Sequence, residues 1–227
     1  MKCVTGVWQD VDELRVVCHS YDGGQRSEPL RRSDGEWFPG LPSHPYARQQ
    51  LSAPADTLSG VNVGELKLTI RQARPDEYAA VGAATVAAYR AAGMAHGEYV
   101  TRLGDAARRA DEAELLVAVD TGGVVLGSVT FCPAGSSWRE VAREDEAEFR
   151  MLAVDPRAQG HGIGRALVEA CLDRTRELGL RGLALSTPQH NGPAHRLYEQ
   201  LGFHRDPDRD WAPIPGVELI VYHIRLR

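Results

Sequence analysis

Arg157-Ala158-Gln159-Gly160-His161-Gly162-Ile163-Gly164-Arg165-Ala166-Leu167 stands between an apolar strand pattern and an amphipathic helix pattern, and its reading decides the fold. Glycines at 160, 162 and 164 let the backbone turn with its amides pointing inward. The first turn of the following helix adds unpaired N–H groups and the positive end of the helix dipole. A concave nest of donors of this kind suits a pyrophosphate.

What the stretch lacks narrows the ligand. No Gly-Lys-Ser/Thr ends it, which argues against a nucleotide-triphosphate loop. A dinucleotide fingerprint requires Gly-x-Gly-x-x-Gly, but counting from Gly160 puts Arg165 at the last glycine position. The next strand pattern, Leu183 to Ser186, also ends without a ribose-binding acid.

The remaining pattern, Gln159-x-x-Gly162-x-Gly164 after Leu152-Ala153-Val154-Asp155-Pro156, resembles the Gln/Arg-x-x-Gly-x-Gly/Ala signature of the GNAT N-acetyltransferases. A second element of that family follows in order, Asn191-Gly192-Pro193-Ala194-His195-Arg196-Leu197-Tyr198-Glu199-Gln200-Leu201-Gly202-Phe203. The resemblance covers roughly residues 63 to 227. It implies an α/β GNAT fold, a mixed, mostly antiparallel central sheet flanked by helices, with residues 1–62 as an extra N-terminal segment.

Composition agrees with a folded, non-nucleic-acid-binding chain. The 227 residues fit one domain with an extension, and 43% are hydrophobic. The net charge of −5 and the lack of a long Lys/Arg run argue against nucleic acid as a partner. Cys3, Cys18, Cys132 and Cys171 have no metal-ligand spacing, so no metal is expected, and reduced thiols suggest the cytoplasm. No apolar run reaches the roughly 18 residues of a membrane helix, and the N-terminus has no secretory segment.

Residues 1–62 divide into an apolar stretch, Val4 to Val17, readable as strand or short helix, and a Gly/Pro/Ser-rich tract with Pro29, Pro39, Pro42, Pro45 and Pro54. Such proline density points to extended or disordered backbone. Translation starting near Val61 or Val63 is the alternative that leaves these residues without a role. From Glu65, alternation at Leu66, Leu68 and Ile70 predicts a strand. Tyr78, Val81, Thr85, Ala88 and Tyr89 predict a helix after Pro75, and a second helical stretch covers about 98 to 110. Leu115 to Val119 and Val124 to Phe131 read as a hairpin around Asp120-Thr121-Gly122-Gly123. A strand follows at about Glu148 to Val154.

In the helix after the glycines, Ile163, Ala166, Leu167, Ala170, Cys171 and Leu178 share one face, and Gly179 ends it. Pro193 opens a helix with Ala194, Leu197, Tyr198 and Leu201 on one side. Phe203 to Arg205 and Val217 to Leu226 read as strands flanking a Pro-containing loop, Asp206 to Gly216.

The family resemblance also implies site residues and a co-substrate, acetyl-CoA. Backbone groups of Leu152, Ala153 and Val154 would pair with pantetheine, one amide facing the thioester carbonyl. Gln159, Gly160, His161, Gly162, Ile163, Gly164 and Arg165 would hold the phosphates, with the Arg157 and Arg165 side chains either supplementing them or simply solvated. Asn191 would bind the pantetheine arm, cap its helix, or both.

Tyr198 matches the family's general acid. Proton transfer from a phenol near ~10 to a thiolate near ~8.5 is uphill by about 1.5 units, or ~2 kcal/mol, which is tolerable. Glu148 aligns with the strand glutamate that some histone-acetylating relatives use as base. Taking a proton from an ammonium near ~10.4 would cost a carboxylate near ~4.3 about six units, ~8 kcal/mol, unless burial raises its pKa or water relays the proton. Glu144 or Glu146 could instead attract a cationic acceptor.

The expected acceptor is a primary amine on a small molecule or peptide, bound in part by Tyr89, Met94, His96, Tyr99 and Trp211. Acetyl and other acyl donors are not separable from sequence. A catalytically silent acyl-CoA-binding GNAT module is the alternative function. A homodimer is common in the family, and the apolar C-terminal strand could contribute to one.

Overall fold

The computed structural model describes residues 2–4, 7–10, 13–14, 59–63 and 66–227. It separates into two compact units, residues 1–44 and 45–227. In the first, β1 (Lys2–Val4), β2 (Val7–Asp10) and β3 (Glu13–Leu14) form an antiparallel three-stranded meander. Part of the apolar stretch from Val4 is therefore strand. Residues 15–58, with the proline-rich tract, lie outside the described residues.

The second unit is built on one sheet. Its strands are β4 (Ser59–Val63), β5 (Leu66–Gln72), β6 (Glu114–Val119), β7 (Val125–Cys132), β8 (Glu146–Val154), β9 (Gly182–Pro188), β10 (His204–Arg205), β11 (Trp211–Ile214) and β12 (Val217–Arg225). The spatial order is β10-β12-β9-β8-β7-β6-β5-β4, with β11 attached to β12. Every pairing is antiparallel except β8 with β9. This is the mixed, mostly antiparallel sheet that the resemblance implies. The boundary expected between residues 62 and 63 falls within β4, which pairs along its length with β5.

Local chemistry explains the elements. The β6–β7 hairpin closes because the Asp120 carboxylate accepts from the Gly122 and Val124 N–H groups at 2.9 and 2.8 Å, while Gly123 takes φ +81°. Pro75 opens a short 3-10 turn that leads into α1 (Tyr78–Ala91). The helix expected over 98–110 is two helices, α2 (Tyr99–Gly104) and α3 (Ala106–Glu112). Asp105 leaves helical geometry between them, and its carboxylate caps α3 by accepting from the Arg108 N–H at 3.1 Å.

The helix after the glycines, α4 (Ile163–Glu177), buries Ile163, Ala166, Leu167, Ala170 and Cys171 against the sheet. Leu178 is a correction to the expected apolar face. It lies at the helix end, where the chain turns into Gly179 at φ +67°, and is 37% exposed. The last helix is α5 (Gly192–Gln200). The loop expected from 206 to 216 carries β11, which pairs with β12 despite Pro213.

The sheet is packed on both faces. Under α4 and α5, Phe131, Phe149, Leu167, Leu185, Tyr198 and Phe203 belong to the largest buried cluster. On the opposite face α1, α2 and α3 cover two smaller clusters, around Val81 and Val117 and around Leu103 and Trp138. There α1 and α2 approach so closely that a methyl group on Gly82 would overlap the backbone carbonyl of Gly104. Backbone cannot retreat as a flexible side-chain tip can, so overpacking here costs about 1–3 kcal/mol. Gly82→Ala is expected to lower the melting temperature by about 2–4 °C per kcal/mol lost. An unchanged melting temperature would show that the helices separate without cost.

Candidate active site

The site begins where two parallel strands part. β8 and β9 pair only through Glu146↔Gly182, Ala147↔Leu183 and Glu148↔Ala184. Beyond that row β9 continues to Pro188 against β12 alone. On its other edge β8 gains an extra residue against β7, with Ser128 opposite Ala153 but Thr130 opposite Arg150. Met151 lies within this bulge at φ +53°, unusual for a residue with a side chain. A bulge bends its strand and increases the local twist, which matches the divergence of β8 from β9.

The fork opens a cleft. Phe149, Arg150, Met151 and Leu152 line it from β8, and Ser186, Thr187 and Pro188 from β9. Tyr89 and Met94 close one side, Asn191 and Tyr198 the other. Tyr89 and Met94 were expected to contribute to an acceptor pocket. Among the described residues, His96, Tyr99 and Trp211 do not line this cleft.

At the end of β8 the chain turns through Asp155, whose carboxylate accepts from the Arg157 backbone N–H at 2.9 Å and pairs with its guanidinium at 2.7 Å. Those bonds hold the Asp155 carboxyl down at about 2. The Gln159 side chain donates to the Val154 carbonyl at 3.4 Å. Gly160 and Gly162 have φ +80° and +73°, and Gly162 is the N-cap of α4. A Cβ at Gly160 would meet no atom within 4 Å. The left-handed backbone, not lack of space, makes glycine necessary there.

The backbone N–H groups from Gln159 through Arg165 donate to no acceptor among the described residues, and the first inward bond of the helix is Ala166 N–H to Gly162 O at 3.0 Å. This run of donors fits a diphosphate. Gly164 would admit a methyl in ordinary contact with Leu197 and Val154, consistent with Gly or Ala at that place in the family signature. Arg165 reaches Glu169 at 3.4 Å and Gln200 at 3.2 Å. Arg157 is 90% exposed, so its pairing with Asp155 is screened by water and leaves it able to turn to a phosphate.

Tyr198 is placed by an aromatic cluster, with ring centroids 5.8 Å from Phe149, 6.1 Å from Phe203 and 5.9 Å from Tyr222. Burial pushes its phenol above the ordinary value. It therefore stays protonated at neutral pH, as an acid must. Asn191 is the N-cap of α5, but its side chain makes no cap bond. Its amide donates instead to Thr187 Oγ1 at 3.4 Å and lies 3.9 Å from the Met94 sulfur, at the cleft.

Glu148 is not brought to the cleft lining. Its side chain is fully buried, and Oε2 accepts from the backbone N–H groups of Glu140, Val141 and Ala142 at 2.8, 2.8 and 3.1 Å. Burial nonetheless raises its pKa, with those amides and Arg150 opposing the shift. Two neighbouring carboxylates of the acidic run are held in ion pairs. Glu146 is buried against Arg209 at 2.6 Å, and Asp145 pairs with Arg225 at 3.0 Å.

Of the cleft residues that sequence reading missed, Phe149, Arg150, Met151, Ser186, Thr187 and Pro188, Arg150 is the charged one. Strand alternation from Glu148 could have placed it on the same face. It donates to the Trp138 carbonyl at 2.8 Å and pairs with Glu140 at 2.6 Å. Among the described residues no His, Cys, Asp and Glu side chains cluster as metal ligands, and no helix is long and apolar enough to cross a membrane.

Comparison with known proteins agrees with this geometry. A mycothiol acetyltransferase from Pseudarthrobacter chlorophenolicus is 39% identical over 105 residues, 46% of this chain and 32% of that protein. The chain thus spans about a third of that curated relative. A GCN5-related N-acetyltransferase from Kribbella flavida superposes with a TM-score of 0.54 at 27% identity, covering 70% of this chain and 98% of its own. The yncA structure from Salmonella typhimurium, solved with its cofactor acetyl-CoA, gives a TM-score of 0.52 at 23% identity over 70% of this chain and 94% of its own, a likeness of fold. Residues 76–203, more than half of the sequence, match the model of the acetyltransferase (GNAT) family, and the chain belongs to that family.

Proposed function

We propose that the unit from β4 to β12 is an acetyl-CoA-dependent N-acetyltransferase that moves an acetyl group to a primary amine of a small molecule or peptide. One observation carries this reading: β8, which parts from β9 beside the cleft that Tyr198 lines, runs on into the loop whose N–H groups from 159 to 165 have no acceptor among the described residues. The name of the Pseudarthrobacter relative supports acetyl transfer, and the acetyl-CoA in the Salmonella structure supports the donor.

Coenzyme A supplies the activated thioester. The loop amides hold its diphosphate, and the parted edge of β8 at Leu152, Ala153 and Val154 offers backbone partners to the pantetheine amides, as an added strand would. An N–H of that edge polarises the thioester carbonyl. The neutral amine attacks the carbonyl carbon, a C–N bond forms, the C–S bond breaks, and Tyr198 gives its proton to the departing sulfur. Burial raises the phenol, but the thiolate leaves into the same low-dielectric cleft, so its basicity rises too.

The amine proton leaves through the open cleft to solvent. Glu148 acts as a positioning residue, its carboxylate tying the 140–142 loop to the strand beside the cleft.

Incubating the protein with acetyl-CoA and a panel of amines, while following free thiol, tests the activity. Tyr198→Phe is expected to lower kcat by about 100-fold or more with acetyl-CoA affinity within about twofold; unchanged kcat removes Tyr198 from the acid role. Acetyl-CoA binding without transfer to any amine would instead fit the silent module. For Glu148→Gln, the acid limb of the kcat/KM profile should persist while the melting temperature falls. A lost limb with intact stability would make Glu148 the base.

A further inference from the structure

The cleft contains one feature that the family reading does not use. Of the residues that line it, Arg150 alone carries a formal charge at neutral pH. The rest are apolar, hydroxyl or amide side chains. A guanidinium has five N–H donors. Here one faces the Trp138 carbonyl and another Glu140, while Nε is 3.9 Å from Glu148 Oε1, beyond hydrogen-bond reach. Donors remain for a ligand.

The wall behind it carries charges of both signs. Glu140 is shared, with Arg150 at 2.6 Å and Arg102 at 3.9 Å. Arg109, fully buried beneath α1, finds only neutral acceptors at Thr85, Thr130 and the Leu103 carbonyl, and its Nε has no partner. Glu140 and Glu148 face Arg102 and Arg150, and Asp105 lies near enough to act on Arg109. Arg108 and Glu112 cancel as a pair at 2.8 Å. Of the acidic run, Glu146 pairs with Arg209 and Asp145 with Arg225. Arg150 therefore supplies the charge in a cleft whose other polar side chains, Ser186, Thr187 and Asn191 among them, are neutral, and its burial weakens the screening of that charge.

We propose that the natural acceptor is an amine that also bears a carboxylate, held by the free N–H donors of Arg150. This rests on the acetyltransferase reading of the same cleft. A carboxylate beside Arg150 gains a charge-assisted, fork-shaped pair. A polyamine or lysine side chain brings a second cation to the guanidinium and gains no such pair. The apolar surface of Tyr89, Met94 and Met151 takes the remainder of an amino-acid-like acceptor.

The test is a series of α-amino acids, each paired with its amide, with spermidine as the carboxylate-free polyamine. Wild-type protein is expected to favour acids over their amides at least tenfold in kcat/KM. Arg150→Gln should bring that ratio close to one, mainly by raising KM for the acids, and Arg150→Lys should retain part of it. A purely structural role would lower acid and amide alike. Amides or spermidine used as well as the acids, a ratio untouched by Arg150→Gln, or no acid acetylated at all would overturn the proposal. Calorimetry with acetyl-CoA separates the two levels. Binding with no acid accepted defeats the carboxylate anchor alone, whereas no binding defeats the acetyltransferase reading beneath it.

Discussion

Everything in the site depends on the parting of β8 from β9. The two strands share three residue pairs and then separate, with Met151 at φ +53° in the bulge on the opposite edge. Holding a residue with a side chain in that conformation costs about 1–3 kcal/mol and persists only where its surroundings enforce it. Here the surroundings are the buried neighbours Leu103, Cys132 and Trp138. Backbone groups at the fork lose the neighbour that a continuous sheet would give them. Buried backbone N–H and C=O groups require partners, so an amide-bearing chain inserted into the fork meets a demand the sheet has left open.

The same bend leads the chain into the glycine loop and α4. Gln159 ties the loop to the end of β8, and Gly127 lets α4 sit against β7, because a Cβ there would lie within 3.1 Å of Ile163 and Leu167. The amide-rich turn is thereby fixed at one end of the fork, while α5 carries Tyr198 on the aromatic cluster under the sheet. Opposite, the carboxylates of 145–148 serve as scaffolding. They tie the 140–142 loop and the 206–211 segment to the sheet edge through backbone amides, Arg209 and Arg225. Arg150 is left as the charged side chain of the cleft lining.

Much of this was legible in the sequence for identifiable reasons. The β6–β7 hairpin declared itself because Asp120 and Gly123 are turn residues with definite geometry, and α4 because its apolar face repeats over four turns before Gly179. The donor loop was visible because Gly160 and Gly162 are needed for positive φ. The bulge at Met151 was not, since nothing local forces a methionine into that conformation. Glu148 lies on the expected strand, but the loop amides that bury its carboxylate were not legible. Alternation gives the face a residue occupies, but not that the 140–142 amides cover that face. The break at Asp105 had a local signal, an acidic cap before Ala106, that a single apolar period across 98–110 concealed. Leu178 matched the apolar period one step beyond the point where the helix stops following it.

The most direct measurement follows the backbone amide resonances of the protein during titration with coenzyme A and, separately, with pantetheine, which lacks the diphosphate. If the N–H groups from Gln159 to Arg165 grip the diphosphate, their amide protons move downfield with coenzyme A and stay in place with pantetheine. Coenzyme A bound with those resonances unmoved, and the changes gathered elsewhere, would contradict the placement of the diphosphate on which the rest of the site depends.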